Sequence, residues 1–197
     1  MLENRHTIKR WASSILSQRG AKSLLYYSWV GNYSGVLNEL QAMDINDTEA
    51  LKFGSEGFGA TALHLAVWNM HHDVADLLLR YGATVFARSS IRRFTTLHLA
   101  VFNNDLIMVK KLLDAGAPVS IMDVHGETSL DWAIRYTKNE SLIQLLVQVA
   151  SFEPTWNVNA LKLAIQLAIH VENTDAFNTL LKMLASLHPS WTGGTIL

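Results

Sequence analysis

The sequence of 197 residues contains no cysteine. This absence excludes a disulfide framework, a cysteine-based zinc site and a thiol nucleophile. It also fits a reducing compartment, so we expect the protein in the cytoplasm, the nucleus or both. With 49% hydrophobic and 17% charged residues, the chain has the composition of a folded domain with one substantial core.

Two further features are missing, a long apolar run and an excess of charge of one sign. No run approaches the roughly 18 consecutive apolar residues of a membrane span, and the first residues lack the apolar stretch of a secretion signal. Sixteen Lys and Arg residues oppose 17 Asp and Glu residues. There is no global basic field to attract nucleic acid or an anionic membrane, so neither is expected as a direct partner.

The chain does contain an internal repeat. Residues 61–83 recur at residues 95–117, 34 positions later, with 11 of 23 residues identical, and further copies begin near Thr128 and Asn159. Within a copy, apolar residues at helical spacings predict two short amphipathic helices packed as a hairpin. Such helices are marginal alone in water, so their stability must come from stacking on neighbouring copies. The sequence therefore predicts a solenoid.

The repeated residues resemble the signature of the ankyrin repeat, Asp-x-x-Gly-x-Thr-Pro-Leu-His-x-Ala. In two copies a threonine is followed three residues later by a histidine, and the Asp-x-x-Gly-x-Thr opening occurs in the next copy. The threonines are expected to cap the first helices, and the resemblance implies that each histidine ties its turn to the neighbouring repeat. The expected structural residues are Thr61, His64, Thr95, His98, Asp123, Gly126 and Thr128.

The resemblance implies an all-α solenoid of four to five helix-turn-helix repeats with an N-terminal helical cap. We expect a capping helix at residues 1–21, an ankyrin-repeat domain at residues 22–187 and a C-terminal tail at residues 188–197. The repeats, numbered first to fifth below, are expected at about residues 22–46, 57–88, 91–122, 123–154 and 155–187.

Several positions depart from the ankyrin signature. The glycine that usually separates the two helices is replaced in the second to fifth repeats by Met70, Asn104, Thr137 and Ala168. If Met70 holds that turn at a positive φ angle, the cost is on the order of 1 kcal/mol relative to glycine. The motif histidine becomes Asp131 and Lys162 in the last two repeats, which puts their turn hydrogen bonds in question. The fifth repeat also carries about four extra residues between its helical segments.

No residue pattern typical of catalysis or metal binding is found in the sequence. His71, His72 and Asp73 are adjacent, and adjacent residues at the start of a helix do not share a face as zinc ligands require. The glycines at residues 54–59 precede a helix, but no buried strand precedes them and no Lys-Ser or Lys-Thr follows. We therefore predict that the protein is not an enzyme and uses neither a metal nor another cofactor.

Ankyrin arrays usually meet their partners through the hairpin tips and the exposed side of the first helix. Here these positions hold aromatic residues and arginines, which protein interfaces use as energetic anchors. Trp68 and Phe102 are expected to stand one above the other on the concave side, with Arg135 as the next rung. The alternative is that the two rings only pack on each other and on neighbouring helices. The expected partner-binding residues are Phe58, Trp68, Asn69, Arg92, Phe94, Phe102, Asn103, His125, Arg135 and Tyr136.

The leading interpretation is a non-catalytic module that binds a protein partner and is itself a monomer. A narrower alternative comes from His-Leu-Ala-Val at residues 64–67 and 98–101, which resembles the arrays of the inhibitors of NF-kappa-B, including short virus-encoded mimics. The partner would then be a Rel-type transcription factor. A third interpretation is an adaptor or effector that acts through residues 1–20 or through the tail, whose Thr195-Ile196-Leu197 ending resembles the ligands of PDZ domains.

Overall fold

Ten α-helices and no strand occur in the part of the chain that the computed structural model describes, residues 23–42, 60–90, 92–152 and 158–187. The expected capping helix, the C-terminal tail and Phe58 lie outside these residues. The helices pair along the chain as successive hairpins, so the fold is an all-α solenoid, as predicted. Their bounds are α1 Ser23–Val30, α2 Tyr33–Ala42, α3 Ala62–Trp68, α4 His72–Arg80, α5 Thr96–Phe102, α6 Leu106–Asp114, α7 Ser129–Tyr136, α8 Glu140–Ala150, α9 Val158–His170 and α10 Thr174–Leu187.

Threonine is the N-cap residue of the first helix in the second, third and fourth repeats. Thr61 precedes α3 in an extended conformation, its hydroxyl accepts the backbone N–H of His64, and Nδ1 of His64 accepts the Thr61 N–H at 3.2 Å. Thr95 begins the same reciprocal cap before α5. Before α7 the carboxylate of Asp131 takes the place of the imidazole, 2.8 Å from the threonine nitrogen. Asp131 therefore keeps the cap that histidine provides in the preceding repeats.

Residues other than glycine close the turns of the second and third repeats. Met70 has a φ angle of 58° and Asn104 one of 54°. Met70 thus holds its turn in the left-handed conformation, which costs about 1 kcal/mol for a residue other than glycine or asparagine. In the fourth repeat Thr137, at the same motif position, is instead extended with a φ angle of −122°.

The fifth repeat differs because its extra residues lengthen a helix rather than a turn. Helix α9 spans 13 residues, whereas α3 and α5 span 7 each. Ala168 is 1% exposed inside α9, and the turn falls four residues later at Glu172, whose φ angle is 55°. The assignment of Ala168 to the turn is therefore wrong, because a run rich in alanine and leucine favours continued helix.

The core runs along the stack between the first and second helices. Consecutive first helices contact one another, and their small residues Ala66, Ala100 and Ala133 have no exposed surface. Leucines at matching positions of successive repeats are almost completely buried, and each contributes about 2 kcal/mol through its removal from water. They are Leu63, Leu97, Leu130 and Leu161 in the first helices and Leu78, Leu112, Leu146 and Leu180 in the second helices.

Candidate protein-binding surface

Four aromatic side chains are in contact across the first helices of the second, third and fourth repeats. Trp68 ends α3 and Phe102 ends α5, and their rings stack with centroids 5.7 Å apart and planes at 12°. Phe102 meets Trp132 and Tyr136 of α7 edge-on, at 6.0 Å and 5.7 Å. The first three are half-buried and Tyr136 is 39% exposed. We call Trp68, Phe102, Trp132 and Tyr136 the aromatic ladder.

The rung after Phe102 is formed by Tyr136 and not by Arg135, so that expectation is wrong. Helix α7 has eight residues where α5 has seven, and its last residue reaches Phe102. Arg135 instead pairs with Glu127 at 2.7 Å. The sequence analysis misses Trp132, although its spacing of four from Tyr136 places both rings on one helix face.

Trp132 is held by two of the structural residues predicted from the sequence. Its Nε1 donates a hydrogen bond to Oδ2 of Asp123 at 3.2 Å, and its ring meets the imidazole of His98 edge-on at 5.1 Å. Oδ1 of Asp123 also accepts the backbone N–H groups of His125 and Glu127, at 2.8 Å and 3.0 Å. Asp123 therefore fixes both a hairpin turn and one rung of the ladder.

His64 and His98 each join their helix to the hairpin that follows it. Nε2 of His64 lies 3.3 Å from the carbonyl oxygen of Phe94, and Nε2 of His98 lies 3.1 Å from that of Glu127. Burial lowers the pKa of His64 to about 4 and also lowers the pKa of His98, against the raising effect of these hydrogen bonds. Both rings are therefore neutral near pH 7, with Nε2 as the donor because a carbonyl only accepts.

Phe94 is buried and does not lie at an exposed hairpin tip, contrary to expectation. It is 9% exposed, and its ring lies 6.0 Å from that of His64 and 6.3 Å from that of Trp132. Its carbonyl oxygen also accepts the backbone N–H of Ser89 at 2.9 Å. A large apolar ring next to the core gains more from burial than from exposure. Phe94 therefore supports the ladder from within the fold.

Asn69 and Asn103 bind carbonyl groups of the preceding repeat. The side-chain amide of Asn69 donates to the Trp29 carbonyl at 2.9 Å. That of Asn103 donates to the carbonyls of Val67 and Trp68, at 3.1 Å and 2.9 Å. Carbonyls at a helix C-terminus lack partners within the helix, and these amides satisfy them. Both asparagines, predicted to contact a partner, are thus engaged in stacking the repeats.

The remaining predicted contact residues lie at two neighbouring hairpin tips. Arg92 and His125 are exposed, and the two tips are joined by a hydrogen bond of 2.8 Å from the Val124 N–H to the Arg92 carbonyl. Arg88 and Arg93, which the sequence analysis does not single out, are exposed in the same hairpin as Arg92. The surface that can meet a partner therefore combines aromatic rings with arginines.

A groove of about 450 Å³ lies between the fourth and fifth repeats, and the sequence analysis does not predict it. The connection on this side of the fourth repeat is short in sequence, because 7 residues join α8 to α9 whereas 15 join α4 to α5 and 14 join α6 to α7. The walls include Met122, Leu163 and Leu167, with the pair of Arg135 and Glu127 among them.

Neither a metal site nor a membrane span is found among the described residues. No group of three or more His, Cys, Asp or Glu side chains in residues 23–42, 60–90, 92–152 and 158–187 is placed to hold a metal ion. His71 and His72 instead contact different groups, the Trp29 carbonyl at 3.0 Å and the carboxylate of Asp105 at 2.7 Å. No helix in that part of the chain is long and apolar enough to cross a bilayer.

Comparison with known families identifies the repeats. The family model for the ankyrin repeat matches residues 58–90 and 92–124. These two segments are ankyrin repeats. Repeats of this family are generally non-catalytic modules for protein-protein interaction. The aromatic ladder lies on the first helices of the two matched repeats and of the one that follows.

Ankyrin-repeat proteins of several kinds resemble the chain. An ankyrin repeat protein of fowlpox virus is 34% identical over 128 residues, which cover 64% of this chain and 36% of that protein. Human ankyrin repeat and SOCS box protein 6 is 35% identical over 121 residues, covering 58% and 29%. The chicken nuclear factor NF-kappa-B p105 subunit is 32% identical over 94 residues, covering 45% and 10%. The chain therefore spans only 10% to 36% of the length of these relatives.

Proposed function

We propose that the chain is a non-catalytic binding module whose protein partner sits on the aromatic ladder. The observation that carries this proposal is the contact of four aromatic side chains across three repeats, with Tyr136 39% exposed at one end. Tryptophan, tyrosine and arginine are the residues that most often dominate binding energy in interfaces. An exposed aromatic patch without a partner is a liability for solubility, which favours a binding role.

The ladder is also organised before a partner arrives. Trp132 is hydrogen-bonded to Asp123 and packed on His98, and Trp68 and Phe102 restrict each other through their stacked rings. Ordering of side chains at an interface costs about 0.5–1.5 kcal/mol for each flexible group. A ladder already fixed in the free protein avoids most of that cost, so it favours affinity.

The test is affinity purification with the wild type and the double variant Trp68→Ala, Phe102→Ala. We expect a protein recovered by the wild type to bind the variant at least roughly 30-fold more weakly, the effect of losing about 2 kcal/mol at an interface centre. Tyr81→Ala is the control, because Tyr81 is an exposed aromatic residue at the end of α4, away from the ladder. Equal binding by wild type and double variant would contradict the proposal, provided that circular dichroism shows the variant folded.

A Rel-type transcription factor is a second, narrower candidate for the partner. It is favoured by the likeness to the NF-kappa-B p105 subunit over 94 residues and by the repeated His-Leu-Ala-Val at residues 64–67 and 98–101. The likeness to a fowlpox protein is in keeping with the idea of a short viral inhibitor. Titration of a purified Rel-homology region should give a dissociation constant below the micromolar range, and absence of binding at micromolar concentration would refute this candidate.

A further inference from the structure

Three arginines crowd the hairpin that joins α4 to α5. Arg88, Arg92 and Arg93 are exposed, and among the described residues none of them has a carboxylate within ion-pair distance. We call these three residues the basic tip. By contrast, Lys111 and Arg135 are each paired, with Asp76 and Glu127. Among the described residues, the basic tip therefore carries three guanidinium groups that no carboxylate neutralises by an ion pair.

The carboxylates of the next hairpin are already engaged. Glu127 pairs with Arg135 at 2.7 Å, and Asp131 accepts hydrogen bonds from the backbone and hydroxyl of Thr128, at 2.8 Å and 2.7 Å. Asp123 accepts two backbone N–H groups and the indole of Trp132. Because these acids serve the fold, they do not take up the arginines of the neighbouring tip.

The basic tip is held beside the aromatic ladder by the fold. His64 binds the carbonyl of Phe94 next to Arg93, and the ring of Phe94 lies against Trp132. The Arg92 carbonyl accepts the Val124 N–H at 2.8 Å, which joins the basic tip to the hairpin that precedes α7 and its ladder residues Trp132 and Tyr136.

We propose that the partner segment is an acidic peptide, with an apolar or aromatic side chain on the ladder and Asp or Glu side chains on the basic tip. This inference rests on the proposed function and adds the chemistry of the partner to it. Guanidinium groups bind carboxylates through paired, charge-assisted hydrogen bonds, and they keep their charge at every physiological pH. The ladder provides the surface on which an apolar side chain of the partner is buried. The positive charge of the basic tip selects a partner of negative charge.

A peptide fits this surface better than a nucleic acid does. A nucleic acid presents phosphates in an unbroken row, and its affinity depends on neutralising many of them. The three arginines of the basic tip form one short cluster within residues 88–93, which can meet a few carboxylates but does not match a continuous row of phosphates. A peptide places single carboxylates where the arginines are and uncharged residues elsewhere.

The experiment starts from a phage library of random 12-residue peptides selected on the full chain. Enriched peptides are expected to combine an aromatic or aliphatic residue with an excess of Asp and Glu. The strongest one is then synthesised with a fluorescent label, beside a version with Asn and Gln in place of Asp and Glu. The neutral version is expected to bind roughly tenfold more weakly or worse, as about 1.4 kcal/mol is lost from several charge contacts.

Protein variants complete the test. The triple variant Arg88→Ala, Arg92→Ala, Arg93→Ala should weaken binding of the acidic peptide by roughly tenfold or more and flatten its salt dependence. The matched control Arg80→Ala, Lys110→Ala, Lys138→Ala removes the same charge from exposed positions outside the tip and should change binding less than about twofold. Equal effects of the two triple variants would overturn the inference, because they would reveal net charge acting at a distance.

The outcomes separate this inference from the proposal on which it rests. Enrichment of neutral or basic peptides that need Trp68 and Phe102 would overturn the acidic partner and leave the ladder as a binding site. Peptides that bind the double variant Trp68→Ala, Phe102→Ala as well as the wild type would overturn both. Failure of the library to yield any binder would overturn a short acidic segment as the ligand. Comparable affinity for a labelled 20-nucleotide poly-dT strand would overturn the choice of a peptide.

Discussion

The third and fifth repeats bury the same core but build different edges on it. Leu97 and Leu112 of the third repeat match Leu161 and Leu180 of the fifth, and all four are fully buried. In the third repeat the first helix stops after 7 residues, and His98 binds the next hairpin. In the fifth it runs on for 13 residues, with an exposed lysine, Lys162, at the position of that histidine.

This difference shows that the residues that stack the repeats are not the ones that shape the surface. The buried leucines are enough to stack a repeat, because the fifth repeat stacks without the threonine and histidine of the motif. The capping threonine and histidine do something more, since they fix the following hairpin and, through it, the ladder and the basic tip. The proposed binding surface accordingly lies on the second to fourth repeats, whereas the fifth repeat exposes Leu163 to the extent of 66% beside a groove.

Removal of His98 is expected to have the largest effect on stability and tests the difference between the third and fifth repeats directly. His98→Ala leaves the Thr95 N–H without its partner, removes one of the two hydrogen bonds that the Glu127 carbonyl accepts, and removes the ring against Trp132. We expect the free energy of unfolding to fall by about 3–4 kcal/mol, from one unsatisfied buried N–H, one lost hydrogen bond and a cavity. Urea denaturation measures it. Lys162→Ala, at the matching exposed position, should change the free energy of unfolding by less than about 0.5 kcal/mol. Equal losses in the two variants would contradict the different roles assigned to this position in the third and fifth repeats.

Acid should weaken the repeats that carry a motif histidine. Burial, with a smaller contribution from the charge of His98 and against the hydrogen bond to Phe94, lowers the pKa of His64 from 6.5 to about 4. Between these values the unfolded chain binds a proton that the folded chain excludes, so stability is complete above pH 6.5 and declines as the pH falls towards 4. The loss reaches about 2 kcal/mol at pH 5 and about 3 kcal/mol at pH 4.

This pH dependence has two readouts. The free energy of unfolding from urea melts at several pH values gives the size of the loss. Proton NMR of the imidazole should show His64 in its neutral form down to about pH 5. A titration midpoint of His64 near 6.5, the ordinary pKa of histidine, would contradict the prediction.

Docking of the first repeat can be tested at Gly31. This residue has a φ angle of 74°, and an added Cβ would come within 2.5 Å of the His71 ring of the second repeat. Gly31→Ala should therefore destabilise the protein by about 2 kcal/mol, from backbone strain plus displacement of that ring. Gly82→Ala is the control, because Gly82 has a φ angle of 84° but nothing within 4 Å of an added Cβ. It should show only the strain of about 1 kcal/mol, and an equal loss in both variants would mean that the first repeat does not pack tightly on His71.

Much of the stack could be predicted from the sequence because its causes are local and repeated. A threonine followed by histidine at a fixed period specifies a helix start, and leucines at the same phase specify a core. Met70 could be placed in a left-handed turn for the same reason. Such positions are determined by their own repeat, and one repeat predicts the next.

The binding surface was less predictable because it depends on small differences between repeats. Helix α7 is one residue longer than α5, so Tyr136 rather than Arg135 contacts Phe102. The hairpin before Thr95 is one residue longer than the hairpin before Thr128, and Phe94 in the longer hairpin is buried. The asparagines of the second and third repeats read as surface residues, but the carbonyls that they satisfy belong to another repeat. The sequence pattern gives the position of a residue within its own repeat, but it does not give the residue that it contacts in the next repeat.

The smallest expected effect tests where the turn of the fifth repeat lies. Glu172 has a φ angle of 55°, so Glu172→Gly should raise the free energy of unfolding by up to about 1 kcal/mol through relief of strain. Ala168→Gly should lower it by about 1 kcal/mol, because glycine weakens the interior of a helix and Ala168 lies within α9. The alignment of repeats predicts the reverse, a gain at Ala168. Thermal or urea melts that show higher stability for Glu172→Gly and lower stability for Ala168→Gly would mean that the extra residues of this repeat belong to its helix. Higher stability for Ala168→Gly would mean that they belong to the turn.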